Sequence, residues 1–154
     1  MKLLDVNLLI YAVDEDSARF ARAHPWVEGA LGGRETVALP WAVLLAFLRL
    51  TTKPQVMTSP LTAGDALDLI DGWLARPNTV VVHPTERHPA VLRELLAPLG
   101  TAGNLVTDAH LAALAIEHGA ELNSCDADFS RFAGLRWTDP LRAEERGPAR
   151  TRVR

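Results

Sequence analysis

Sulfur is scarce in this chain of 154 residues: one cysteine, Cys125, and two methionines. A lone cysteine cannot close an internal disulfide, so nothing in the sequence asks for an oxidising compartment. A long apolar run is also missing. The stretch from Leu39 to Leu48 reaches half a membrane span at best. The start, Met1-Lys2 followed by Leu3-Leu4-Asp5, is too short and too quickly acidic for a secretory signal. Together these absences predict a cytoplasmic protein with no membrane role. Excess positive charge is lacking too. Sixteen Lys and Arg stand against 19 Asp and Glu, a net charge of −3, so the chain as a whole is not a basic nucleic-acid binder. Its five histidines form no His-Glu-x-x-His pair, which removes the usual helical zinc motif. What remains, 48% hydrophobic and 23% charged, is an ordinary globular composition, and the length fits one domain.

Short apolar runs alternate with helical spacing along the chain. Strands are expected at Leu3 to Val6, Thr36 to Leu39, Thr79 to Val82 and Ala120 to Asn123, with an edge strand at Leu135 to Trp137. Helices are expected at Asn7 to Val13, Ser17 to Leu31 and Trp41 to Thr51, the last with Val43, Phe47 and Leu50 on one stripe. Thr62 to Leu74 is amphipathic, with Leu67, Ile70 and Leu74 inward and Asp65, Asp68 and Asp71 outside. Ala90 to Leu99 ends at Gly100, and Leu105 to Glu117 starts behind Asn104 as its cap. A helical turn covers Asp126 to Phe132. Such alternation predicts an α/β protein: one three-layer α/β/α sandwich around a short, mainly parallel sheet, spanning residues 1–141. Residues 142–154 hold five arginines and two glutamates, 5 − 2 = +3. They read as a charged, flexible tail, or as an arm for phosphates or an acidic partner.

Three aspartates need explaining. Asp5 ends the first strand in apolar surroundings, where a lone carboxylate must find a partner or cap the helix that follows. Asp108 opens a helix whose Leu111 and Ala112, at i+3 and i+4, look like core, and no arginine lies one turn away to neutralise it. Asp126 follows the fourth strand and either caps the next turn or faces a ligand. In a parallel sheet these positions converge on the carboxyl rim, where ligands sit. Carboxylates gathered there repel one another, and a divalent cation relieves the repulsion. All-oxygen ligation completed by water and phosphate is the pattern of Mg²⁺, with Mn²⁺ as a substitute. The chemistry expected is phosphodiester hydrolysis, with Asp5 and Asp108 as the leading metal ligands. Asp126 serves either as a ligand or as the acid positioning the attacking water.

The stretches Leu4-Asp5-Val6-Asn7, Asn104-Leu-Val-Thr-Asp108-Ala-His-Leu and Ser124-Cys-Asp126-Ala-Asp128-Phe129 resemble the motifs of PIN-domain nucleases. More narrowly, they are similar to the VapC-type toxins of bacterial toxin–antitoxin pairs, in order and spacing over nearly the whole chain to about Leu141. The resemblance implies a PIN fold, magnesium-dependent endoribonuclease activity on an RNA substrate, a VapB-like antitoxin partner and a homodimer. One departure stands out. The family commonly places a glutamate on the helix after the second strand, and here Ala46 occupies that place. One sparingly held ion is then expected rather than a complete two-metal site.

Other residues support or compete. Asn7 orients Asp5 or merely starts a helix, Thr107 bonds a water or phosphate or is a plain helix residue, and Asp128 rivals Asp126. Arg49 and Arg131 are either phosphate holders or surface arginines. Trp41, Trp73, Phe47 and Phe129 are core or dimer-interface candidates. A thiol nucleophile at Cys125 would need a positive neighbourhood. Two rival functions remain: a phosphatase with Asp5 as nucleophile, which Asn7 in place of a second acid disfavours, and a non-catalytic PIN-like module with a degraded acidic site.

Overall fold

The computed structural model describes residues 1–142; the expected charged tail, from residue 143 onward, lies outside the described residues. Strand β1 (Lys2–Leu4) stops where Asp5, in extended conformation, caps α1 (Val6–Val13) with its own carboxylate. The first strand is therefore shorter than Leu3 to Val6, because the acid that ends it also begins a helix. Next come α2 (Phe20–Leu31), β2 (Val37–Ala38), α3 (Trp41–Thr51) and α4 (Ala63–Leu74). After β3 (Thr79–Val80) lie α5 (His88–Leu96) and α6 (Val106–Glu117), then β4 (Glu121–Asn123) and β5 (Trp137–Thr138).

The sheet is wholly parallel, in the order β3-β2-β1-β4-β5. From β1 the chain steps outward to β2 and β3, then returns past β1 to β4 and β5. With right-handed crossovers, α1 to α4 cover one face and α5 and α6 the other. The three-layer α/β/α sandwich expected from the alternation of elements is what forms. Central β1 is buried at Leu3 and Leu4, and Leu122 of β4 packs beside it with Val37, Ala38 and Leu39 on the other side. Phe47 meets Trp73 edge-on with ring centroids 4.7 Å apart, tying α3 to α4 over the core.

Several local expectations shift. The buried stripe of α4 is Ala66, Ile70 and Trp73, while Leu67 is exposed. Alanine and tryptophan at i, i+4 and i+7 define that face, and counting only leucines misplaces it by one position. In α3 the buried stripe is Val43, Leu44 and Phe47, with Leu50 only partly covered. Asn104 does not cap α6: a 3-10 turn, Gly103–Leu105, precedes it, and Leu105 is its cap without a side-chain bond. Gly103 takes a positive φ of 41° there, a conformation a side chain disfavours. Trp73, Phe47 and Phe129 are core residues, whereas Trp41 is half exposed. Among the described residues no helix is long and apolar enough to cross a membrane.

Candidate active site

Strand order locates the site. The chain leaves β1 in one direction and β4 in the other, so the loops after these neighbouring strands diverge and leave a crevice at their carboxyl ends. Leu4 and Asn123 are in register across that pair, which places Asp5 and Asp126 on the same rim. A cleft of about 300 Å³ opens here, and Asp5, Asn7, Thr107, Asp108 and Asp126 line it. Ala46 and Arg49 of α3 line it as well. Asp128 and Arg131 are exposed and lie outside that lining. A larger cavity of about 420 Å³ sits at the other end of the strands, around Lys2, Trp26 and Glu35, and its one acid, Glu35, is paired with Lys2 and the N-terminal amine.

Asp5 is 7% exposed and held from three sides. Its Oδ1 accepts the Val6 amide at 2.7 Å. Its Oδ2 accepts Ser124 Oγ at 2.7 Å and Asn7 Nδ2 at 3.0 Å. Burial raises its pKa; the bonds from Ser124 and Val6 oppose that, and the charge of Asp126 adds to it. A carboxylate offers roughly four acceptor positions. Three are filled, so Asp5 has one to offer.

Ser124 is the residue that sequence reasoning passed over. It is fully buried, and besides donating to Asp5 it accepts from Asn7 Nδ2 at 2.9 Å and from the Asp126 amide at 3.0 Å. Asn7 Oδ1 in turn accepts the Cys125 amide at 3.3 Å. One hydroxyl thus ties the ends of β1 and β4 together and sets the direction of both acids. The signal was present as a small polar residue directly after a buried strand, where a hydroxyl must find partners. Replacing it, Ser124→Ala, leaves Asp5, Asn7 and the Asp126 amide each short of a partner. The expected cost is about 1–3 kcal/mol of stability and a fall in turnover of roughly 10–100-fold, the usual scale for groups that orient a ligand. Thermal unfolding beside single-turnover cleavage measures both; an unchanged melting curve would show that Ser124 organises nothing.

Asp108 behaves differently. It lies in the first turn of α6, half-buried, and its pKa is raised to about 6 by burial and then by the charges of Asp126, Asp5 and Asp128. The α6 macrodipole favours a negative charge there but is too weak to offset this. Asp126 Oδ1 accepts the Asp128 amide at 2.9 Å, so it caps the 3-10 turn Ala127–Arg131 as well as facing the cleft. Cys125 borders the site, but burial and the nearby Asp139 push its thiol up to about 11, which excludes a thiolate nucleophile at neutral pH. His110 points elsewhere, bonding His88 Nε2 at 2.9 Å, while His88 Nδ1 donates to Glu117.

The oxygen-rich donor set and the unrelieved repulsion at Asp108 suit a hard divalent cation. Among the described residues no three His, Cys, Asp or Glu side chains are drawn together closely enough to enclose a metal by themselves. An ion here would keep most of its waters, which magnesium does readily.

The PIN domain family model matches residues 2–135. The chain belongs to the PIN-domain family. It is 46% identical over 140 residues to ribonuclease VapC37 of Mycobacterium tuberculosis, covering 91% of this chain and 97% of that one. It is 42% identical over 142 residues to ribonuclease VapC33 of the same organism, covering 92% and 99%. These identities place it among the VapC-type PIN-domain proteins. Of solved structures, the complex VapBC2 of Rickettsia felis, bound to a promoter DNA fragment, contains a chain that superposes with a TM-score of 0.65. That match has 20% identity and covers 89% of this chain and 96% of the other, a likeness of fold. In this PIN domain the three aspartates singled out by sequence line one cleft, together with Asn7 and Thr107.

Proposed function

We propose that this VapC-type protein is a magnesium-dependent endoribonuclease, the toxin of a toxin–antitoxin pair. The observation that carries the reading is the convergence of Asp5, Asp108 and Asp126 on one cleft at the β1–β4 switch point. Two VapC ribonucleases more than 40% identical to it over nearly the full chain support it. When bound, magnesium supplies charge neutralisation at the phosphate and a more acidic water.

The chain's own residues do the rest. Asp108 and the free acceptor position of Asp5 would hold the cation, with manganese as a substitute. Ser124 and Asn7 keep the Asp5 carboxylate from rotating. Asp126 joins them as a ligand or takes the proton of the attacking water. Thr107, exposed on the lip, offers a hydroxyl to the phosphate, and Arg49, which also lines the cleft, offers a cation. Asp128 contributes charge from outside the cleft. A phosphatase mechanism through Asp5 is disfavoured, because three donors already hold its oxygens in place.

A VapB-like antitoxin as partner follows from the toxin reading and is supported by the VapBC composition of the structurally similar complex. A homodimer and a cytoplasmic site of action belong to the same proposal. The test is cleavage of single-stranded RNA by the full chain. Turnover is expected with Mg²⁺ or Mn²⁺ and should disappear with EDTA and return when the metal is replenished. Cleavage that persists in EDTA overturns the metal role. Absence of any cleavage with either metal leaves the non-catalytic PIN-like module instead.

A further inference from the structure

The amino end of α2 breaks a local rule. Helices gather acids in their first turn because the macrodipole is positive there, yet α2 has none. Arg19 is its cap residue, without a side-chain capping bond, and Arg22 lies in the first turn. Two cations at a positive helix end cost stability unless an anion joins them, and such local conflicts concentrate at functional sites.

Among the described residues the surroundings supply a single anion. A cavity of about 210 Å³ is lined by Ala18, Arg19, Arg22, Asp139, Leu141 and Arg142. Three arginines share it with one carboxylate, 3 − 1 = +2. Among the described residues neither Arg19 nor Arg22 forms a salt bridge. Asp139 is itself engaged, with Oδ1 accepting the Leu141 amide at 2.9 Å. The preceding acids do not turn this way: Asp14 and Asp16 line a separate cavity with Ser59 and Met57, and Asp16 accepts the Ser59 hydroxyl.

This pocket adjoins the acidic cleft. Arg19 stacks over the Tyr11 ring, 5.2 Å from its centroid, which fixes the guanidinium at little entropic cost. Tyr11 lies at i+4 from Asn7 on α1, so the two share a face one helical turn, about 5.4 Å, apart. Cys125 closes the gap from the other side. Its amide bonds Asn7 Oδ1, and its thiol feels both Asp139 and Arg19. Basic groups beside a carboxylate site are what a polyanionic substrate requires, since the acids alone would repel it.

The geometry points to a phosphate-binding groove formed by Arg19, Arg22 and Arg142, which holds the RNA backbone next to the scissile phosphate. This rests on the ribonuclease reading and assigns its substrate a track: the strand enters over the α2 amino end, passes Tyr11 and reaches Asp5 and Asp108. An acidic segment of a protein partner is the rival occupant. RNA is favoured because Cys125 stands between the two sites, its amide bonded to Asn7 of the acidic cleft and its thiol beside Arg19 and Asp139 of the pocket.

The experiment uses the full chain carrying Asp108→Asn and measures polarisation of a fluorescein-labelled single-stranded RNA across a salt series. Adding Arg19→Ala and Arg22→Ala should weaken binding about tenfold or more. It should also lower the slope of log affinity against log salt by roughly 1.4, two charges at about 0.7 each on single strands. Arg19→Lys with Arg22→Lys should restore most of the slope, separating charge from folding. With Asp108 intact, the alanine pair should raise KM and leave kcat largely unchanged. Equal affinity and slope with and without the arginines overturns the groove and leaves the ribonuclease reading standing. Loss of poly-glutamate binding with RNA binding intact overturns it in favour of a protein partner. If the parent cannot bind RNA at all, both readings fall together.

Discussion

Asp108→Asn is expected to reduce RNA cleavage by at least about 100-fold while making the metal-free protein more stable. Both effects follow from the half-buried carboxylate in the first turn of α6. Charge stabilisation by a bound metal is worth several kcal/mol, and each 1.36 kcal/mol is a factor of ten. Asn keeps the shape and loses the charge that holds the ion. The stability gain comes from the same charge. The folded Asp108 has its pKa raised from 3.8 to about 6, so the folded state holds the proton more tightly than the unfolded chain. Below pH 3.8 both states are protonated and nothing is lost. Between 3.8 and about 6 the unfolded state ionises first, stability falls as pH rises, and the deficit is constant above that window. Asp108→Asn removes this deficit. After discounting for solvent screening at this partly exposed site, the gain is about 1 kcal/mol, or roughly 2–4 °C in Tm for a chain of this size. Calorimetry at pH 7.5 and at pH 3.5 separates the cases: the variant should melt higher at the first and equally at the second. Mg²⁺ should raise the Tm of the parent and leave the variant unmoved. A variant less stable than the parent at pH 7.5 would show that Asp108 carries a structural bond, and retained cleavage would remove it from the machinery.

Asp108 was also the acid whose role the sequence made plainest, because Leu111 and Ala112 committed its helix face to the core and no cation lay nearby. Asp5 and Asp126 were readable as strand-end acids, and the structure makes each of them a cap as well as a cleft residue. The alternatives of cap and functional acid were never exclusive, since an extended residue ending a strand already has the backbone geometry of an N-cap. The strand order was not legible. Alternating elements specify a parallel sheet but not which strand is central, and the β1–β4 switch point depends on a long-range pairing between residues 2–4 and 121–123. Ser124 escaped for the same reason, as its partners Asp5 and Asn7 are nearly 120 positions away in the chain. The arginines of α2 escaped because a surface arginine is the default until a cavity shows what it faces. Helix ends drifted where 3-10 turns intervene, by one residue at Gly103–Leu105 and by three at Ala97–Leu99, because the hydrophobic period runs unbroken across such joins.

The unoccupied family position at Ala46 yields the converse experiment, a gain rather than a loss. Ala46 lines the same cleft as Asp5, Asp108 and Asp126, and it shares that wall with Ala42, Arg49 and Leu50. Those positions fall on one helical face of α3, at i−4, i+3 and i+4 from Ala46. A carboxylate introduced by Ala46→Glu therefore enters the cleft that Asp108 lines. Without metal it adds a fourth lining acid, so it should lower stability by about 1 kcal/mol at neutral pH through repulsion. With metal the balance reverses: an additional oxygen donor replaces one water of a sparingly held ion. Mn²⁺ affinity, followed by electron paramagnetic resonance of the free ion, should tighten roughly 10–100-fold, the range over which ligand-shell changes act. Cleavage at limiting metal should rise with it, while cleavage at saturating metal changes less. The double variant Ala46→Glu with Asp108→Asn should recover part of the metal affinity and little of the activity, because the replacement carboxylate comes from α3 and not from the α6 position of Asp108. Unchanged Mn²⁺ affinity in the single variant would mean that the ion does not reach α3, leaving the sheet-end acids and Asp108 as its whole protein shell.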